Sequence, residues 1–137
     1  MLGKDTDARL VNKFVQNAIE GKPINITGGD QQFSQLYVQD ASDGIIALLN
    51  TPVQNRKPLY NLGYLKSYNI IEIANVVSKV AKDLNLPDVK ISLTRTDSNV
   101  FAELDSSDFF KDINWKPQFD MERVVREIFE FKINKQK

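Results

Sequence analysis

Apolar residues fall into two kinds of pattern along this chain. Over residues 9–20, Leu10, Phe14 and Ala18 recur every four positions with Val11, Val15 and Ile19 beside them. That spacing predicts an amphipathic helix. Gly21 stops it and Pro23 prevents its resumption. Ile24-Asn25-Ile26-Thr27 alternates apolar and polar, so a strand is expected, leading into a Gly28-Gly29 turn. Residues 33–38 are rich in aromatic and branched side chains and predict extended backbone. Asp40 is placed as the N-cap of the next helix, which carries Ala41, Ile45, Leu48 and Leu49 on one face and ends near Asn50, before Pro52.

The second half continues the alternation. Residues 59–62 predict a short strand closed by Gly63, and residues 64–68 a surface loop. Asn69 starts the longest helical stripe, with Glu72 at capping-box spacing. Ile70, Ile73, Ala74, Val77, Val80, Ala81 and Leu84 keep the helical period to Asn85, before Pro87, and are assigned to the core. Residues 89–94 and 101–104 predict strands. Asp105 caps a short helix over 106–111, and Asn114 tolerates the left-handed conformation where the chain turns out of it. Asp120 caps a last helix with Met121, Val124, Val125, Ile128 and Phe129 inward; residues 132–137 are expected to fray, and residues 1–8 to be loosely held.

The result is an α/β pattern with about five helices and few, short strands, organised around the stretch 28–43. A turn, a strand and a capped helix in succession carry a side chain from one part of a protein to another; a purely structural crossover is the alternative. A self-sufficient doubly wound sheet needs more strands. The chain is therefore expected to be part of something larger, a single region over residues 1–137.

Composition removes several chemistries. Lys+Arg and Asp+Glu number 18 each, so bulk charge favours neither nucleic acid nor a membrane surface. There is no cysteine for thiolate chemistry, and no histidine, the commonest metal ligand and general base. No acids cluster at ligand spacing, so no metal site is expected. No apolar run matches a membrane span, and no signal-peptide core is present, making the cytoplasm the default location.

Six pieces, in order, resemble an extended short-chain dehydrogenase/reductase, more narrowly the NAD-dependent epimerase/dehydratase family that acts on nucleotide sugars. They are Lys22-Pro23-Ile24 through Gly28; Gln31 through Asp40, with Tyr37 and Val38 in register; Tyr60-Asn61-Leu62-Gly63; residues 69–74; Arg95-Thr96-Asp97; and Asp105 through Pro117. The resemblance implies the C-terminal, mostly substrate-binding portion of such an enzyme. It also implies NAD(P) for the whole enzyme, and a UDP- or dTDP-sugar as partner.

The chain departs from the family in what it lacks. Phe33 stands where an arginine usually binds the sugar nucleotide's phosphate, and Asn114 replaces the glycine before Trp115. Phenylalanine cannot make the bidentate, charge-assisted contact of a guanidinium. There is no glycine-rich dinucleotide fingerprint opening a helix. There is no Tyr-x-x-x-Lys pair either: Tyr37, Tyr60, Tyr64 and Tyr68 are followed four residues on by Ala41, Tyr64, Tyr68 and Glu72. No catalytic residue and no cofactor-binding residue is assigned to this chain.

The candidate substrate-binding residues are Arg95, Thr27, Gln31 and Asp97. Arg95, just past a strand end, is placed to reach an anion, which the resemblance makes a nucleotide diphosphate; a surface ion pair with Asp97 or another acid is the plain alternative. Asp97 caps the loop or orients Arg95. Thr27 lies, by resemblance, near the nucleobase, although strand threonines are common. Gln31 keeps the family's glutamine, with a turn-stabilising hydrogen bond as the alternative. Trp115 is assigned to packing.

Two functions remain. One is the substrate-binding part of an NAD-dependent epimerase or dehydratase, inactive alone and partnered by a missing N-terminal NAD-binding half. The other is a non-catalytic relative that binds a nucleotide sugar or another protein. A homo-oligomer that covers the chain's apolar surface is compatible with the second.

Overall fold

The helix predicted over residues 9–20 forms as α1 (Leu10–Ile19) in a computed structural model that describes residues 9–97, 101–102 and 104–137. Gly21 ends it at φ +67°, with Lys22 N–H donating to Asn17 O at 2.8 Å, a Schellman closure. β1 (Ile24–Thr27) follows, then β2 (Gln32–Phe33), α2 (Val38–Asn50), a 3₁₀ turn at Val53–Asn55, and β3 (Tyr68–Asn69). α3 (Ile70–Asp83), β4 (Ile91–Thr94), β5 (Phe101–Ala102), α4 (Ser107–Ile113) and α5 (Met121–Lys135) complete the described residues. The fold is α/β, with five α-helices and few short strands, as the pattern predicted.

The core lies where α1, α3 and α5 pack on one another and on the inner face of β1. Phe14, Val15, Ile24, Ile26, Ile73, Val77, Val125 and Phe129 meet there, all buried. β1 and β4 run parallel with Ile24 opposite Ile91 and Thr27 opposite Thr94. β2 is the middle of a second small sheet, antiparallel to β3 and parallel to β5.

Local signals set several boundaries. Glu72 N–H donates to Asn69 Oδ1 and Asn69 N–H to Glu72 Oε2, both at 2.8 Å, so the capping box of α3 forms. Arg123 N–H donates to Asp120 Oδ1 at 2.8 Å at the start of α5. Asn114 takes φ +52° after α4. Asn85 does the same at φ +58°, which ends α3 at Asp83, short of the predicted Asn85.

Other expectations are corrected. α2 starts at Val38, not after Asp40. Asp40 lies inside its first turn and is wholly buried, at 0% exposure. Its two carboxylate oxygens accept the N–H groups of Gln118 (2.8 Å) and Phe119 (2.9 Å), so it ties α2 to the loop before α5. The extended run predicted over 33–38 pairs as a strand only at Gln32–Phe33. Residues 59–62 are not strand: no ladder forms there among the described residues. The strands predicted over 89–94 and 101–104 shorten to β4 and β5, and β3 forms where a loop was expected. The short fourth helix starts at Ser107, although Asp105 Oδ1 still accepts Ser107 N–H at 2.9 Å. α5 runs to Lys135 and Lys132 is buried at 1% exposure, so the predicted fraying over 132–137 does not occur through Lys135. The expectation for residues 1–8 falls outside the described residues.

The stripe of α2 does not enter the core. Of its thirteen residues only Asp40 and Gly44 are buried, while Ile45 is 52% and Leu49 66% exposed. Gly44 lets the helix ride close on Leu62 and the Trp115 ring: a Cβ there would meet both at 3.2 Å. Trp115 packs edge-on against Phe109, as its assignment to packing requires.

Candidate functional site

Two parallel strands, β1 and β4, end side by side, and the strand register decides which candidate residues meet. Thr27 lies opposite Thr94, so Arg95 emerges directly beyond Thr27's partner. Gly28 N–H donates to Thr94 O at 2.8 Å and continues the pairing into the turn. Gly28 and Gly29 have φ of +102° and +110°, which a side chain would strain. A Cβ on Gly29 would also press on Leu93 at 3.2 Å.

Gln31 folds back into this turn. Its Nε2 donates to Thr27 O at 2.8 Å, and its Oε1 accepts Gly29 N–H at 2.7 Å. The carboxamide thus shapes the turn, the plainer of its two readings. Arg95, Thr27 and Gln31 are brought together at the carboxyl ends of a parallel pair, where ligands of α/β proteins bind. Arg95 and Asp97 are both exposed, and among the described residues no ion pair joins them or links Arg95 to another acid. Asp97 makes no hydrogen bond there that would cap the loop or orient Arg95. The guanidinium is therefore available to an anion.

Alternation along β1 builds a second surface. Asn25 and Thr27 are exposed while Ile24 and Ile26 are buried. Ser92 Oγ donates to Asn25 Oδ1, so β4 extends the same polar face. Asn25 also lines a groove of about 410 Å³ together with Lys13, Phe14 and Asn17 of α1, Phe33 and others. Sequence reading missed Lys13, Asn17 and Asn25 as site residues. The signal available was modest: Lys13 and Asn17 are four apart on one helix face, and Asn25 alternates with Thr27.

The Gly28-Gly29 turn does not have the form of a dinucleotide-binding turn. The Gly28-Gly29 turn opens a strand, not a helix, and its two N–H groups are already bonded to Thr94 O and Gln31 Oε1. No backbone donors remain there to cradle a pyrophosphate. Among the described residues no three of His, Cys, Asp or Glu group as metal ligands, and no helix is long and apolar enough to cross a membrane.

Known proteins share this fold and, in part, this sequence. Residues 2–63 match the sequence model of the NAD dependent epimerase/dehydratase family. That match covers a little under half of the chain. UDP-glucuronic acid decarboxylase 1 of Xenopus tropicalis is 31% identical over 75 residues, covering 54% of this chain and 17% of the relative. Among solved structures, the UDP-glucose 4-epimerase of Thermotoga maritima with UDP-glucose superposes with a TM-score of 0.77 at 14% identity, covering 98% of this chain and 42% of that one. The UDP-glucuronic acid 4-epimerase of Bacillus cereus, with UDP-glucuronic acid and NAD, gives 0.76 at 16% identity over 95% of this chain and 41% of that one. At these identities the structures speak for the fold. The chain spans less than half the length of each of these proteins.

Proposed function

We propose that this chain is the nucleotide-sugar-binding portion of an NAD-dependent epimerase or dehydratase, inactive by itself and completed by an NAD-binding half. The observation that carries the reading is Arg95: an exposed guanidinium, unpaired among the described residues, beside Thr27 at the carboxyl ends of two parallel strands. A guanidinium so placed suits a diphosphate, the charged centre of a UDP- or dTDP-sugar. Thr27 offers a hydroxyl beside it. Asp97 keeps its candidacy only as a loop neighbour.

The missing half is supported by what stays uncovered. Ile45 and Leu49 on α2 are exposed, as is Leu59 (81% exposed), and residues 59–62 form no ladder among the described residues. An uncovered apolar helix stripe suits packing against a further element. In this reading the family's NAD and its acid/base pair belong to that half, and the setting is cytoplasmic. The second reading, a non-catalytic module that binds a nucleotide sugar or a protein, draws on Phe33, which leaves that position without a cation. Self-association through the α2 face would go with it.

Calorimetric titration with UDP-glucose and dTDP-glucose tests the proposal. Binding of one of them, weakened about tenfold or more by Arg95→Ala, is expected for loss of a charge-assisted contact. No binding of either sugar nucleotide, or binding untouched by Arg95→Ala, overturns it. Turnover that appears only on adding a separately expressed NAD-binding half separates the enzyme from the non-catalytic module.

A further inference from the structure

The groove between α1 and β1 carries chemistry that Arg95 does not account for. Phe14 of α1, which is 4% exposed, Phe33 of β2 and Ile70 are among its lining residues. Asn25 and Asn17 present carboxamides: Asn25 accepts Ser92 Oγ, which leaves its amide protons unassigned, and Asn17 Nδ2 donates to Pro23 O at 3.2 Å. A single cation lines it, Lys13, which is exposed and makes no ion pair among the described residues. The volume, about 410 Å³, lies in the usual range of ligand pockets.

Asn25 lines this groove and belongs to β1, whose last residue, Thr27, lies opposite Thr94 next to Arg95. Asn25 and Thr27 share the exposed face of β1 and stand about 7 Å apart along the strand. A ligand whose planar ring lies against Phe33 would find carboxamides in the same groove. Its anionic part would have a cation on each side: Arg95 beyond the strand ends and Lys13 from the helix. Phe33 supplies a ring face and no charge, so the ammonium of Lys13 is the groove's own counter-charge.

We infer that Lys13 is the second phosphate-binding cation of the nucleotide-sugar site, acting across the groove from the strand ends and setting the preference for a charged nucleotide over a nucleoside. This rests on the nucleotide-sugar reading above. Lysine is well suited to the role as a mobile point charge with three donors on a long stem.

The test is calorimetric titration of UDP and dTDP, with uridine and thymidine as uncharged controls, on the wild-type chain and on Lys13→Met, Lys13→Arg and Arg95→Ala. Lys13 is exposed, so Lys13→Met keeps the stem and leaves the fold intact. The expected result is about a tenfold loss of diphosphate affinity in Lys13→Met, with unchanged nucleoside affinity, a shallower salt dependence and recovery in Lys13→Arg. Diphosphate binding equal to wild type in Lys13→Met, while Arg95→Ala loses it, overturns the role of Lys13 and leaves the nucleotide-sugar reading standing. Equal losses for diphosphate and nucleoside also overturn it, because they mark a packing role. Failure of the wild type to bind either diphosphate overturns both readings.

Discussion

Asp40 is the joint between the crossover helix and the C-terminal helix, and its removal is the sharpest test of how this fold is held. The carboxylate has no exposure and accepts two backbone N–H groups, from Gln118 at 2.8 Å and Phe119 at 2.9 Å. In Asp40→Ala both donors lose their partner and a small void opens. Each bond to an ionised acceptor contributes about 1.5–3 kcal/mol. The two donors are only partly buried, so water recovers some of this, and a net loss of about 3 kcal/mol is expected. That is a large fraction of the ~5–15 kcal/mol that holds a domain folded. Asp40→Asn keeps one acceptor but turns an NH₂ toward the other N–H; it should cost less than alanine and more than 1 kcal/mol, on the order of 2 kcal/mol. Trp115 is the chain's single tryptophan and packs against α2 near this joint, so its fluorescence reports the site directly. Urea unfolding followed by that fluorescence and by circular dichroism gives both numbers. Asp40→Ala within about 1 kcal/mol of wild type would refute the reasoning, since it would show that these bonds carry no more than an ordinary solvated contact.

Two further outcomes test the packing. Burial, and then the neighbouring Tyr68, push the Tyr64 hydroxyl up to about 12 from its ordinary 10.0. The folded chain thus resists ionisation that the unfolded chain undergoes, so this contribution is whole below pH 10 and is lost as pH rises from 10 toward 12. Melting temperatures should fall between about pH 10 and pH 12, and fall less in Tyr64→Phe; an identical fall removes Tyr64 as the cause. Gly44→Val should lower stability by about 1–3 kcal/mol, because its added atoms meet Leu62 and the Trp115 ring at 3.2 Å or closer. A melting temperature at or above wild type would show that α2 can slide away from Trp115.

Local chemistry was legible from the chain alone. Asn69 and Glu72 close their capping box, Asp120 caps α5 and Asn114 turns left-handed, because each acts within a few residues of itself. The stripe Ile73–Ala81 predicted core for the same reason: helical period and burial coincide when the partners exist. The α2 stripe has the same period, yet Ile45 and Leu49 stay exposed, because no element among the described residues covers them. Residues 59–62 have the composition of a strand, but a strand is made by its neighbour's hydrogen bonds, and none is present among the described residues.

The site divides along the same line. Residue type nominated Arg95, Thr27 and Gln31, and the likeness to nucleotide-sugar enzymes gave them a ligand. Only the parallel register of β1 and β4, joining residues 67 positions apart, set Arg95 beside Thr27. Only the packing of α1 over β1 brought Lys13 to Asn25 and Phe33. Asp40 looked like a cap because an acid at a helix start usually is one; its true partners, 78 and 79 residues on, leave no trace in local pattern. Periodicity and capping are short-range and are written in neighbouring residues. Register, buried pairing and the walls of a groove are long-range, and they exist only once the chain has closed on itself.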